Sequence, residues 1–412
     1  MRNWVFVLAQ ATRQLWVRVA AYSALGLLAA AAAAIFSHLV PLDLALTIGT
    51  EAVDQVLSIL ASSMLAVATF SLATLVTAYT AVAGTATPRA AKLMLSDGRG
   101  QSSLATFVGA FIYAVVGIFV LQTGFYGAQG RVILFITTLG VLFLVVAALI
   151  RWIGQLSLLG QVDEAIDRVR AVTEASLAKR SRAGTPAGLS AETAGVAVNS
   201  DQTGFVQAVD LKTLQASAQA LGVKVWIDAM PGAFVHAAQP LLRFSGRANL
   251  STDDVARLKS AFVIAERRTF DQDPRYGFTV LGQIAAKALS PGVNDPGTAS
   301  DVIATGVGLL TRWARAAPGQ GGQALSDVGF AALAPEDLLR DLFGPIELYG
   351  AGDPAIGVEL QKAFAALAAL EHPALTRAAC DHSATALARA REALSLEEDH
   401  RLLLEVSGRV RC

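Results

Sequence analysis

Hydrophobic positions run almost without interruption through long stretches of the first 150 residues and fall into short periodic groups thereafter. A hydrocarbon core of roughly 30 Å needs about 20 apolar residues in a helix, because each residue rises about 1.5 Å. Four windows meet that demand: residues 19–36, the uncharged stretch of 55–88, residues 104–121, and residues 132–150, which Arg151 and Trp152 close. Arg2, Arg13 and Arg18 precede the first window in the manner of a signal peptide, but no small-x-small cleavage site follows, so the window is expected to stay as a span. The flanking charges alternate. Arginines precede the first window, Asp43, Glu51 and Asp54 precede the second, Arg89, Lys92 and Arg99 precede the third, and bases return at Arg151, Arg168 and Arg170. Because basic loops stay in the cytoplasm, both termini are expected there.

Beyond the last window, residues 155–178 keep a helical rhythm, with Leu158, Val162, Ile166 and Val169 on one stripe, and are expected to prolong the membrane helix. Residues 179–193 lack large side chains to bury and read as a linker. From Gly195 the period shortens to two, at Val196 and Val198, Phe205 and Val206, Val223 to Ile227, Phe234 and Val235, and Leu241 to Phe244. Between the second and third strands, residues 211–221 predict a helix with Asp210 as N-cap and Gly222 just past its end. The rest reads as helical. Val255, Leu258, Phe262 and Ala265 share a face behind Thr252, and Ser395 with Glu398 forms a capping-box pattern.

The expected architecture is therefore an α-helical membrane protein with four transmembrane helices plus a cytoplasmic α+β domain. Its parts would be a membrane domain at 1–152, a helix and linker at 153–193, a small strand-rich module of barrel-sandwich shape at 194–248, and a helical domain at 249–412. Composition agrees with a bilayer as the principal partner, since 54% of residues are hydrophobic and only 16% charged. The 33 basic and 33 acidic residues cancel, which offers no electrostatic case for nucleic acid. Two cysteines, Cys380 and Cys412, exclude a disulfide framework and a CxxC zinc site. His372, Cys380, Asp381 and His382 lie close in sequence, but Cys380 and His382 would diverge on one helix, so no metal is expected. No nucleotide or hydrolase motif points to a cofactor or a catalytic residue.

Two motifs carry the candidate chemistry. Arg268-Thr269-Phe270-Asp271-Gln272-Asp273-Pro274 and Ala288-Leu289-Ser290-Pro291-Gly292-Val293-Asn294-Asp295-Pro296 flank a short helix expected over 278–287. Arg268, Asp271, Asp273, Asn294 and Asp295 are the candidate ligand-binding residues, because carboxylate and amide oxygens suit a hard cation or polar ligand. The competing reading makes the aspartates helix caps before proline, with Arg268 pairing a carboxylate. Ser71, Thr74, Thr77 and Thr80 step by three along the second window, so their hydroxyls stay within half of the helix circumference. They are candidate pore-lining residues or, alternatively, packing contacts.

These motifs, with Ala86-Thr87-Pro88-Arg89, Gly204-Phe205-Val206-Gln207, Pro231-Gly232 and Tyr349-Gly350 to Asp353-Pro354, resemble the bacterial family of predicted membrane proteins known as domain of unknown function 2254 (DUF2254). The resemblance runs from about the first apolar window to about Leu370. It implies an inner-membrane protein with a cytoplasmic domain and supplies motif positions without roles. Two functional expectations follow: a homo-oligomeric channel or transporter built around the second window, with a cytoplasmic regulatory domain, or a membrane-anchored sensor or scaffold.

Overall fold

The computed structural model describes residues 15–35, 50–95, 98–123, 128–156, 160–182, 195–247, 249–316 and 325–412. The chain divides into two compact units: Ala83–Ala90 with Ala165–Cys412, and Ala91–Glu164 with the described residues up to Val82.

The apolar unit contains α1 (Leu15–Ile35), most of α2 (Thr50–Thr85), α4 (Gly98–Gln122) and α5 (Ala128–Leu156), and α3 (Pro88–Leu95) leads into it. Among the described residues, three stretches are long and apolar enough to cross a bilayer: Glu51–Thr85, Gly100–Gln122 and Gln129–Leu156. The apolar stretch of α1 among the described residues is the shorter Val19–Leu28. One face of α2 is buried at Val53, Leu57, Leu60, Met64, Ser71 and Leu75, against Phe107, Tyr113, Leu134 and Trp152. The opposite face exposes Ile59, Leu65, Phe70, Leu72 and Val76. Large apolar side chains on the outside are costly in water and appropriate in lipid. Inside the bundle the Tyr113 hydroxyl bonds to Thr137 Oγ1 at 2.8 Å and Thr138 Oγ1 at 3.0 Å, joining α4 to α5. The helix after α5 is separate rather than continuous: α5 ends at Leu156, Gly160 has φ +93°, and α6 begins at Val162 (Val162–Arg182).

In the second unit, β1 (Val196–Asn199), β2 (Gly204–Val209), α7 (Leu211–Leu221), β3 (Lys224–Ile227), β4 (Phe234–Val235) and β5 (Pro240–Ser245) follow the expected order. Asp210 caps α7 through the Thr213 N–H, and Gly222 closes it at φ 66°, the left-handed region in which glycine is least penalised. The helical face expected through Phe262 and Ala265 is cut short. The α8 helix (Thr252–Lys259) starts from Ser251, not Thr252, and Phe262–Ala265 becomes β6, antiparallel to β2. A later strand, β7 (Val328–Phe330), runs parallel to β3. The result is two sheets, ordered β1-β5-β3-β7 and β4-β2-β6, around one apolar core.

The remaining helices are α9 (Pro274–Ala288), α10 (Pro296–Arg315), α11 (Pro335–Tyr349), α12 (Pro354–Ala368), α13 (Pro373–Ala393) and α14 (Glu397–Ser407). Five of the six begin with proline, whose ring fixes φ where no N–H partner is needed. Ser395 does not cap α14; Leu396 stands at its N-cap without a side-chain bond. The two cysteines, too few for a framework, nevertheless pair: Cys380 on α13 is bonded to Cys412, with Cα atoms 5.9 Å apart.

Candidate functional site

The first motif is organised around Asp273, whose side chain is 2% exposed. Its carboxylate accepts two bonds from Arg268, from Nε at 2.8 Å and Nη2 at 3.1 Å, and a third from the Tyr276 N–H at 3.1 Å. The residue is thus both half of a forked ion pair and the N-cap of α9. Burial pushes its carboxyl above the usual range, against the opposing pull of Arg268. Over the carboxylate lies Gly232, at φ 97°, where a Cβ would fall 2.4 Å from Asp273 Oδ2. The Pro231-Gly232 turn therefore has its residue type set twice, by backbone conformation and by its neighbour.

Around this pair the second unit is stitched together by contacts distant in sequence. Gln207 Nε2 donates to the Arg267 carbonyl at 2.8 Å, and the Val209 N–H donates to Gln272 Oε1 at 3.1 Å, tying β2 to the motif. From α6, Lys179 Nζ donates to the Asp271 carbonyl at 3.2 Å, and Thr173 packs so closely on Gly277 that a Cβ there would lie 1.8 Å from its Oγ1. Arg275 reaches α11 through Asp341 and Asp337, at 2.7 and 2.8 Å. Arg180, desolvated and pushed down to about 10, lies 4.3 Å over the Phe330 ring and donates to the Ala331 carbonyl.

Helix α9 grips the last turns of α2 and the turn that follows. Lys287 Nζ donates to the Ala83 carbonyl at 2.9 Å, in the last turns of α2. Arg89 Nη1 donates to Gln283 Oε1 at 2.8 Å. Burial raises the Tyr276 phenol, while Arg89 and Arg268 act in the opposite direction; the Arg268 guanidinium lies 5.0 Å from the Tyr276 ring centroid. Thr87, buried, accepts from the Ala90 N–H and turns the chain into α3.

The two motifs do not converge on one point. Fifteen residues of α9 separate Asp273 from the second motif, about 22 Å at 1.5 Å per residue. There Asn294 adopts φ 51°, and Asp295 caps α10 by accepting from Thr298 N–H at 3.2 Å and Oγ1 at 2.6 Å. Those bonds hold the Asp295 carboxyl below its usual range, the hydroxyl contributing most. Of the five candidate ligand residues, Arg268, Asp271 and Asp273 share one end of α9, and Asn294 and Asp295 the other. The hydroxyl face of α2 is also divided: Ser71 is fully buried, Thr74 half-buried, and Thr77 and Thr80 exposed. Each threonine hydroxyl donates back to its own helix, at the carbonyls of Phe70, Ala73 and Thr77. His372 caps α13, accepting from the Leu375 N–H, and His382 pairs with buried Glu347 at 2.5 Å. Among the described residues no group of His, Cys, Asp or Glu is placed to hold a metal ion.

This pairing of a long apolar bundle with a motif-centred α+β unit is matched over residues 12–366 by the family model for predicted membrane proteins designated DUF2254. The chain belongs to the DUF2254 family. Relatives of the chain include the uncharacterized proteins Rv1290c of Mycobacterium tuberculosis and Mb1321c of Mycobacterium bovis, each 29% identical over 232 residues. The match covers 52% of this chain and 43% of each relative, so the aligned stretch takes in less than half of their length. No solved structure matches the chain. As a DUF2254 member the protein is a predicted membrane protein, with three apolar helices of spanning length among the described residues. Thr173, Gln283 and Lys287 escaped the sequence reading, because nothing local marks a partner about 100 to 200 residues away. Gly277 was the one available signal, a helix-interior glycine inside a motif.

Proposed function

We propose that this DUF2254 protein is an oligomeric channel- or transporter-type protein of the bacterial inner membrane, with four spans per subunit and both termini in the cytoplasm. Its α+β unit acts as the regulatory domain. The observation that carries the reading is the grip of α9 on the last turns of α2 and the turn after it: Lys287 holds the Ala83 carbonyl, and Arg89 is held by Gln283. A domain fastened to the end of an apolar helix is positioned to bias that helix between two states. Thr77 and Thr80 supply small polar groups on the outward side of α2, where a neighbouring copy would complete a polar path. Reconstitution of the full chain into liposomes tests this: solute or ion flux is expected, and Lys287→Ala with Arg89→Ala should alter its rate. Absence of flux across a panel of ions and small solutes, with a monomer in detergent, would remove the proposal.

A second reading, a membrane-anchored ligand-binding sensor or scaffold, draws support from one feature. An open groove of about 570 Å³ lies beside β1, an edge strand of its sheet, lined by apolar Val196, Phe244 and Leu250 and by polar Asn199, Asp201 and Lys259. Small ligands with both polar and apolar groups that raise the melting temperature of the full chain while flux stays absent would favour it.

A further inference from the structure

We infer that Cys380 and Cys412 form a reversible thiol–disulfide switch that fastens and releases helix α14. The only two cysteines of the chain are bonded to each other across 32 residues, linking α13 to the segment that follows α14. The bond is accessible, since Cys412 is exposed and Cys380 half-buried. Arg409 and Arg411 bring positive charge to the same segment, a setting that favours thiolate attack.

What the bond controls follows from how little else holds α14. Its 11 residues bury two apolar side chains, Leu403 and Val406, and Leu403 sits over Gly357 of α12, where a Cβ would come within 2.8 Å of it. Leu396, Leu402 and Leu404 stay exposed on the same element. Two buried side chains are a weak return for ordering a helix of this length, so docking leans on the covalent link, which removes most of the freedom of the undocked segment. With the bond open, α14 should leave its seat and uncover the Gly357 side of α12.

The chemistry balances with a small disulfide as oxidant. The Cys412 thiolate attacks one sulfur of RSSR, forming a mixed disulfide and releasing RS⁻. The Cys380 thiolate then attacks the Cys412 sulfur, closing the protein bond and releasing the second RS⁻. Two electrons pass to RSSR, and the two cysteine protons end on two RSH. A dithiol or two monothiols reverse it.

The test uses the protein in detergent, poised with mixtures of glutathione and glutathione disulfide and then probed with trypsin, which cuts after Arg401 and Arg409. Both thiols should convert in one transition, and reduction should speed cleavage in α14 by about tenfold or more, the effect of freeing a tethered segment. Cys412→Ser should cleave at the fast rate under every condition. Equal cleavage in both redox states, or thiols that never pair at any ratio, would overturn the inference. In cells, acid quenching followed by thiol alkylation should find both cysteines free at rest and bonded after diamide treatment. A bond present throughout would mean a permanent staple and would also overturn the switch. A C-terminal reporter fusion reads the compartment separately, so failure of the switch is distinguishable from failure of the cytoplasmic assignment.

Discussion

Replacing Asp273 separates a structural carboxylate from a ligand-binding one. In the protein it serves α9 as N-cap, a role whose loss costs about 1 kcal/mol. It also takes a forked bond from Arg268, and removing one partner of a buried pair costs about 3–5 kcal/mol. Arg268 keeps 22% of its side chain exposed and would recover part of its hydration, which argues for the lower end of that range. Asp273→Ala should therefore destabilise the α+β unit by about 3–4 kcal/mol in total. Asp273→Asn keeps a capping oxygen and the shape against Gly232 and should cost about 1–2 kcal/mol. For a unit of this size, 1 kcal/mol corresponds to about 2–4 °C in Tm. The alanine variant should melt roughly 6–16 °C below wild type and the asparagine variant roughly half as far or less. Thermal unfolding of the full chain in detergent, followed through intrinsic fluorescence to which Trp226 and Trp313 of the α+β unit contribute, measures both. The reasoning is refuted if either variant melts at or above the wild-type temperature, the behaviour of carboxylates held at the expense of stability for binding.

Three further outcomes are expected. Gly277→Ala should destabilise despite the higher helix propensity of alanine, by about 1–3 kcal/mol from crowding against Thr173, with partial recovery in the Thr173→Ala background; a gain in Tm would show that α6 and α9 are not in contact. Tyr113→Phe should cost about 1 kcal/mol or less in SDS-driven unfolding, because Thr137 and Thr138 already donate to carbonyls of their own helix. Asp273 has a folded pKa above its unfolded value, so its protonation-linked stability is fully present below the unfolded value and is lost as pH rises through the folded one. The Tm gap between wild type and Asp273→Asn should accordingly be widest in mild acid and shrink toward neutrality, and a gap that widens with rising pH would reverse the assigned sign.

How much was legible in the sequence depended on how far each determinant reached along the chain. Asp210 and Gly222 announced the ends of α7 from eleven residues of local pattern, and the aspartates before Pro274 and Pro296 announced theirs. Strand β6 was hidden because Phe262 and Ala265 continue the spacing of Val255 and Leu258, so a helical face and a strand were indistinguishable until β2 supplied a partner. The Ser395 and Glu398 pair matched a capping box but sits one step out of place, since α14 begins at Glu397. The candidate site was half readable: the Arg268 and Asp273 pairing is five residues apart, whereas Lys287 and Ala83 are joined across 204. The hydroxyl row on α2 was visible as a row, but a three-residue step drifts around the helix, which is why Ser71 is buried and Thr80 exposed.

The proline that opens five of the six C-terminal helices makes their two ends unequal. Each ring stiffens the first turn in the unfolded chain as well as the folded one, and at four of the five a side chain already occupies a neighbouring donor. Fraying should therefore start from the C-terminal turns. Amide hydrogens there would exchange with deuterium first, and the unzipping of each helix would run backward, toward its proline.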